Sequence, residues 1–168
     1  MSGKILDFYR GSCDDEGRTL DEILEWPDVQ LEAVHDFIQW LFPLPERSGA
    51  NPDAPILDAA TIDAFRQSGD LQQRLRQSFL RMLRFYGFDF DAGSVQPATN
   101  FPSRSSNWLS PGNHNHLRLT RMLRSLRLLG LQAESTALFR TLSEIYEKYP
   151  NCITTRTYQF WKTAVETQ

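Results

Sequence analysis

The apolar and polar positions of this chain follow helical spacing almost throughout. The clearest stretch runs from Asn113 to Leu131, where Leu119, Met122, Leu123, Leu126 and Leu129 fall on one helical face and Leu117 and Leu128 on the opposite side. A helix apolar on two sides needs neighbours on two sides, so this Leu-rich segment is the expected centre of an all-helical fold. Its start is capped by Ser110 or Asn113, and Gly130 followed by Leu131 has the form of a Schellman stop.

The remaining elements are read in the same way. Residues 1–18, with three glycines and the cluster Asp14-Asp15-Glu16, are expected to be an irregular lead-in tied down by Phe8 and Tyr9. Thr19-Leu-Asp-Glu22 is a capping box opening a helix that Pro27 stops after Trp26. Asp28 caps a second helix with Leu31, Val34, Phe37, Ile38 and Leu41 on its buried face, a stripe of His35, Gln39 and Phe42 beside it, and Asp36 with Trp40 beyond. Pro43 and Pro45 end it, and Leu44 to Leu57 forms an ordered loop. Asp58 caps a third helix carrying Ile62 and Phe65, which stops at a left-handed Gly69. Asp70 and Gln73 restart the chain as a fourth helix with Leu71, Leu75, Phe79, Met82, Leu83 and Tyr86 inside, closed by Gly87.

Phe88 to Gly112 lacks helical period and strand alternation, and its aromatics mark it as a long ordered loop packed on the body. After the central helix, a sixth places Leu138, Leu142, Ile145, Tyr146 and Tyr149 on one stripe up to Pro150. The short link makes the fifth and sixth an antiparallel hairpin. A last helix from about Thr154 presents Tyr158, Trp161 and Val165. The expected fold is therefore all-α: one compact domain over residues 1–168 with about seven helices, a central Leu-rich helix and one long ordered loop.

Composition changes this picture little, since 40% hydrophobic, 12% aromatic and 23% charged residues are ordinary for a soluble folded domain. The first residues contain no apolar signal core and no run is long enough to span a bilayer, which gives a cytoplasmic expectation. Cys13 and Cys152, far apart and outside any metal-ligand spacing, are expected to be free thiols. Charge is segregated: residues 1–69 carry 5 basic and 14 acidic side chains, residues 70–130 carry 9 and 3, and the rest carry 4 of each. An acidic part docking on a basic part accounts for this more simply than a nucleic-acid surface.

Several strings in the chain are long and unusual. Leu31-Glu-Ala-Val-His-Asp-Phe-Ile-Gln-Trp-Leu-Phe-Pro-Leu-Pro45, Asn51-Pro-Asp-Ala-Pro55, Ile62-Asp-Ala-Phe65, Met82-Leu-Arg-Phe-Tyr-Gly87 and His114-Asn-His-Leu-Arg118 together resemble the opioid growth factor receptor conserved domain. The resemblance covers most of the chain, from Phe8-Tyr9 to about Phe139. It implies a non-catalytic module for a peptide or protein partner, with no cofactor and no catalytic residue. Eukaryotic members are named for binding an enkephalin peptide and are associated with the nucleus and nuclear envelope. They carry long extensions, whereas this chain is similar to the short single-domain relatives found in bacteria.

Three surfaces compete for the functional site. The first, favoured here, combines His35, Asp36, Gln39 and Trp40 of the second helix with Trp108 of the long loop and Asn113, His114, Asn115, His116 and Arg118 at the start of the fifth. Polar residues beside a buried stripe, free amides at a helix start and an aromatic loop would make an apolar pocket with a few polar groups, and Asp36 would face a peptide amine. The second is a metal-dependent hydrolase site made of His35, His114 and His116, disfavoured because helical residues two apart point about 200° apart. The third is a nucleic-acid surface made of Arg74, Arg81, Arg84, Arg118, Arg121, Arg124 and Arg127. Arginines advancing by three spiral round a helix instead of lining one face, so nucleic acid is not the expected partner. No metal ligand set is assigned, and the four tryptophans are read as core anchors.

Overall fold

Ten helices and one two-stranded antiparallel sheet form among residues 3–166, the part of the chain that the computed structural model describes. The fold is thus mostly helical but not purely α. Part of the difference lies in residues read from sequence as one helix or as loop. The chain divides into two compact units, Met1–Phe79 and Leu80–Gln168. None of the helices among the described residues is long and apolar enough to cross a membrane.

The first unit begins with α1 (Gly3–Tyr9), where the sequence reading had an irregular lead-in; residues 1 and 2 lie outside the described range. Ile5, Phe8 and Tyr9 are all buried, and this one-sided spacing is sufficient to make the short segment helical against a core. The Tyr9 hydroxyl donates to the Leu41 carbonyl at 2.6 Å and lies 3.0 Å from Ser78 Oγ, while its ring meets Phe65 edge-on at 5.0 Å. Burial pushes the Tyr9 phenol up, outweighing the Ser78 hydrogen bond and the Arg74 charge, so Tyr9 remains a neutral donor.

Next, α2 (Leu20–Leu24) opens with the expected capping box: the Thr19 hydroxyl accepts from the Glu22 amide and the Glu22 carboxylate from the Thr19 amide. The expected second helix is broken. It forms as α3 (Asp28–Ala33) and α4 (Ile38–Leu41), with Val34 extended between them and Pro27, not Asp28, in the cap position. Hydrogen bonds from outside the segment accompany the break: Arg18 reaches Asp36 Oδ1 at 2.7 Å and Asn51 Nδ2 donates to the Asp36 carbonyl at 3.4 Å. The 44–57 loop is free of helix and strand, as expected, and Leu57 N donates to Leu44 O across its ends.

Asp58 caps α5 (Ala59–Gln67) through the Thr61 amide, as expected. Gly69 does not stop it. The break comes at extended Ser68, whose hydroxyl accepts from the Leu71 amide, and Gly69 opens α6 (Gly69–Tyr86). The Gln72 amide in turn caps the Phe65 carbonyl at the end of α5. All six residues expected on the inner stripe of α6 are buried.

In the second unit the long 88–112 segment is largely structured. Strands β1 (Phe88–Asp91) and β2 (Ser94–Pro97) pair antiparallel, with Phe90 opposite Val95 and Asp91 opposite Ser94, and α7 (Phe101–Ser105) follows. The two-residue turn puts Ala92 at φ 49° and Gly93 at φ 80°, the doubly left-handed form that matches strand twist. Phe88, Val95, Phe101 and Trp108 are buried, so the aromatics do pack as expected.

The Leu-rich helix is α8 (Asn115–Leu128), and it packs directly against both α9 (Gln132–Lys148) and α10 (Thr155–Glu166). Leu131 N donates to Leu126 O and Gly130 N to Arg127 O with Gly130 left-handed, which is the expected Schellman stop. The second apolar side is realised only at one end, since Leu128 is buried but Leu117 is 68% exposed.

Gly87 ends α6 with φ +91°, and a Cβ there would lie 2.8 Å from Arg104 Cβ and 3.1 Å from the Phe101 backbone. Gly112 is also left-handed but has open space around it. Urea titration should show Gly87→Ala costing about 3–5 kcal/mol, left-handed strain plus overpacking, against about 1–2 kcal/mol for Gly112→Ala. Equal costs would mean that the tight approach at Gly87 does not exist.

Candidate functional site

A helix leaves its last carbonyls without internal partners, and the end of α6, which belongs to the second unit, bonds its last two and the carbonyl of Gly87 just beyond to later parts of that unit. Phe85 O accepts from Arg104 Nε at 2.9 Å, Tyr86 O from Trp108 Nε1 at 3.0 Å, and Gly87 O from Ala98 N at 2.8 Å. These bonds fix the indole of Trp108, a fully buried ring that also meets Tyr86 edge-on at 5.6 Å. The start of α8 is built round it.

His116 lies 3% exposed, with Nε2 2.8 Å from Trp108 O and its ring edge-on to Trp161 at 5.6 Å. Trp161 Nε1 donates to His116 O at 3.0 Å. A carbonyl only accepts, so Nε2 carries the proton and Nδ1 is a bare lone pair, buried and without a partner. Burial holds the imidazole pKa below its usual 6.5, helped by His114 and only partly opposed by the bond to Trp108. Asn115, also buried, accepts from Tyr86 Oη at 3.5 Å and Arg118 at 3.4 Å. Asn113 receives the Asn115 amide on Oδ1 at 2.9 Å and donates to Asn107 O at 3.0 Å. Of the residues proposed from sequence in this unit, Trp108, Asn115, His116 and Arg118 are buried, Asn113 is half-buried, and His114 alone is exposed.

In the first unit the break between α3 and α4 disperses the expected stripe. His35 is exposed, Asp36 half-buried, and Gln39 and Trp40 buried, with the Gln39 Oε1 lacking a hydrogen-bond partner. Asp36 and Trp40 line a small solvent-facing recess of about 90 Å³ with Asp15, Glu16, Asn51, Asp53 and Ala54. Residues 15, 16, 51 and 53 were absent from the candidate set. The signal available was the acidic run Asp14-Asp15-Glu16, read as lead-in, together with the Asn51-Pro-Asp53 string, read only as loop.

Charge in the recess is unbalanced. Arg18 binds Asp14 Oδ2 through NH2 at 2.7 Å and Asp36 Oδ1 through NH1 at 2.7 Å, and Lys4 binds Asp15 at 2.9 Å. With Asp14 included, five carboxylates face two cations among the described residues, and three negative charges are left over there. The volume suits about three waters or one ammonium group with its nearest carbon.

The alternative surfaces gain nothing. Among the described residues no three His, Cys, Asp or Glu side chains are grouped to hold a metal ion. Arg81 and Arg118 are buried, which removes two members from the proposed phosphate-binding surface. Cys13 and Cys152 are free. Trp40, Trp108 and Trp161 are buried core residues and Trp26 is half-buried, with its ring edge-on to Phe37.

A family model described as the opioid growth factor receptor (OGFr) conserved region matches residues 4–167. Over 147 residues the chain is 40% identical to the opioid growth factor receptor of Rattus norvegicus, covering 83% of this chain and 25% of that protein. The Homo sapiens receptor is 39% identical over the same length, with 83% and 21% covered. Opioid growth factor receptor-like protein 1 of Rattus norvegicus is 33% identical over 142 residues, with 80% and 30% covered. The chain belongs to the opioid growth factor receptor conserved-region family. It spans between 21% and 30% of the length of these relatives. No solved structure matches it.

The buried, neutral His116 sets a pH dependence. Its folded pKa is depressed, so its contribution to stability is complete above the unfolded value of 6.5 and is lost as pH falls below it. Urea midpoints should therefore hold steady from pH 8 to 7 and decline below about 6.5, by at most about 1.4 kcal/mol per pH unit from this one group. His116→Gln, whose amide can still donate to Trp108 O, should flatten the decline between pH 6.5 and 5; an unchanged slope would show that another group titrates.

Proposed function

We propose that this chain is a receptor-like module that binds a peptide or protein partner without chemical change, and that the acidic recess of the first unit receives a cationic group of that partner. The surplus negative charge around Asp15, Glu16, Asp36 and Asp53 is the observation that carries this reading. An amine entering there exchanges its hydration for carboxylate oxygens, and the Trp40 wall lowers the local dielectric and strengthens that attraction. Asp36 offers its free Oδ2, because the ion pair with Arg18 uses Oδ1. The names of the relatives, receptors for an opioid growth factor, support a peptide as the carrier of the amine.

The recess extends the Asp36 and Trp40 part of the set drawn from sequence, while His35 and His114 are exposed positions available at the margin of a larger contact. Asp53 has no ion-pair partner among the described residues, and Asp36→Asn keeps an Oδ1 that can still accept from Arg18 while Arg18 keeps Asp14, so the hydrogen bond at the break is retained and only charge is removed. The double variant Asp36→Asn/Asp53→Asn should melt within a few degrees of the parent. In calorimetric titrations against short peptides that include the opioid growth factor, it should bind at least tenfold more weakly, and acetylating the peptide amino terminus should have a similar effect on the parent. Binding that ignores both changes would place the site elsewhere.

A further inference from the structure

Between α9 and the outer edge of β2 lies a cleft of about 400 Å³. Ala137, Arg140, Thr141 and Glu144, spaced as one face of a helix, form one wall, and β2 forms the other. The hairpin register decides which backbone groups of β2 reach this cleft. Asp91 stands opposite Ser94 across a two-residue turn, and Ala98 N donates to Gly87 O at 2.8 Å, so the hydrogen-bonded pairs are Asp91 with Ser94, Asp89 with Gln96 and Gly87 with Ala98. Val95 therefore belongs to a pair that exchanges no bonds, and its N–H and C=O both turn away from β1. The Thr141 hydroxyl donates to that carbonyl, which shows that this edge faces α9. The Val95 N–H has no partner among the described residues, although the residue is only 4% exposed.

Two charges stand unused on the other wall. Arg140 and Glu144 are exposed, and neither makes an ion pair or a side-chain hydrogen bond among the described residues. They are one helical turn apart, about 6 Å along the axis, in the order of cation before anion that pairs less well on a helix.

These groups together define a ligand chemistry. An N–H and a guanidinium converge on a carboxylate, and Glu144 calls for an ammonium. A simple anion would gain from Arg140 and be repelled by Glu144, and a simple cation would meet the reverse. A molecule with both charges close together gains from each, and an α-amino acid carries them on one carbon. Ala137, Val95 and Pro97 leave apolar surface for a side chain.

We propose that this cleft binds a free α-amino acid with a small or apolar side chain, its carboxylate on the Val95 N–H and Arg140 and its ammonium on Glu144. The site shares no residue with the acidic recess and does not depend on what that recess binds.

The test is nitrogen-15 NMR of the intact chain titrated with glycine, L-alanine, L-leucine and L-phenylalanine, each beside its N-acetyl and carboxamide derivatives, and with sodium acetate. Saturable shifts of the Val95 amide and its neighbours are expected with at least one of the four amino acids, and not with its derivatives or with acetate. Arg140→Gln and Glu144→Gln remove exposed charges that hold nothing in the fold, so both variants should melt with the parent, and each should raise Kd roughly tenfold or more. No saturable shift with any of the four, equal shifts from the blocked derivatives or from acetate, or binding that both variants leave unchanged would each overturn the proposal.

Discussion

The carbonyls at the end of α6 set the constraint on which the second unit depends. They are buried, they have no partners within their own helix, and leaving any of them unpaired would cost about 1–3 kcal/mol. Arg104 and Trp108 answer Phe85 and Tyr86, and Ala98 answers Gly87 just beyond the helix, each from a different part of the segment that follows. Once the indole is tied down in this way, His116 has a fixed carbonyl to bond, Trp161 has a fixed carbonyl of His116 to bond, and the start of α8 and the middle of α10 are positioned in turn. A chain of directional bonds thus runs from the last turn of one helix to two others.

The chain shows clearly where this order was legible in advance. The capping box at Thr19, the Asp58 cap, the inner stripe of α6 and the Schellman stop at Gly130 are local signals, and all formed because nothing distant competes with them. The break at Val34 was not legible, since the local pattern favours continuous helix and the bonds from Arg18 and Asn51 come from outside the segment. The hairpin was missed for a different reason. Phe-Asp-Phe-Asp does alternate, but over only four residues, and Ala92-Gly93 stands where an asparagine-glycine turn would have announced itself.

The candidate site divides along the same line. Sequence marked Asp36 and Trp40, and the recess needs both, but its other walls come from segments read as lead-in and loop. His116 and Asn115, chosen because polar residues at a helix start attract ligands, are buried and make their side-chain hydrogen bonds internally, through Nε2 and Oδ1. Polarity at a helix start therefore served two purposes that sequence alone does not separate: presenting groups to solvent, as His114 does, and satisfying a buried junction. The carboxylates of the first unit belong to the former kind, because Arg18 and Lys4 are the cations paired with them among the described residues and leave a surplus.

The hydroxyl of Thr141 on α9 bonds the Val95 carbonyl, and the next outward-facing residue of β2, Pro97, has no amide hydrogen to give. In the observed register these are the positions at which β2 turns its backbone away from β1, so the outer edge of β2 offers little to another strand. Exposed strand edges are the usual templates for intermolecular stacking into aggregates. A helical protein that carries one hairpin has here blunted the edge of β2, which should protect its solubility during concentration and storage.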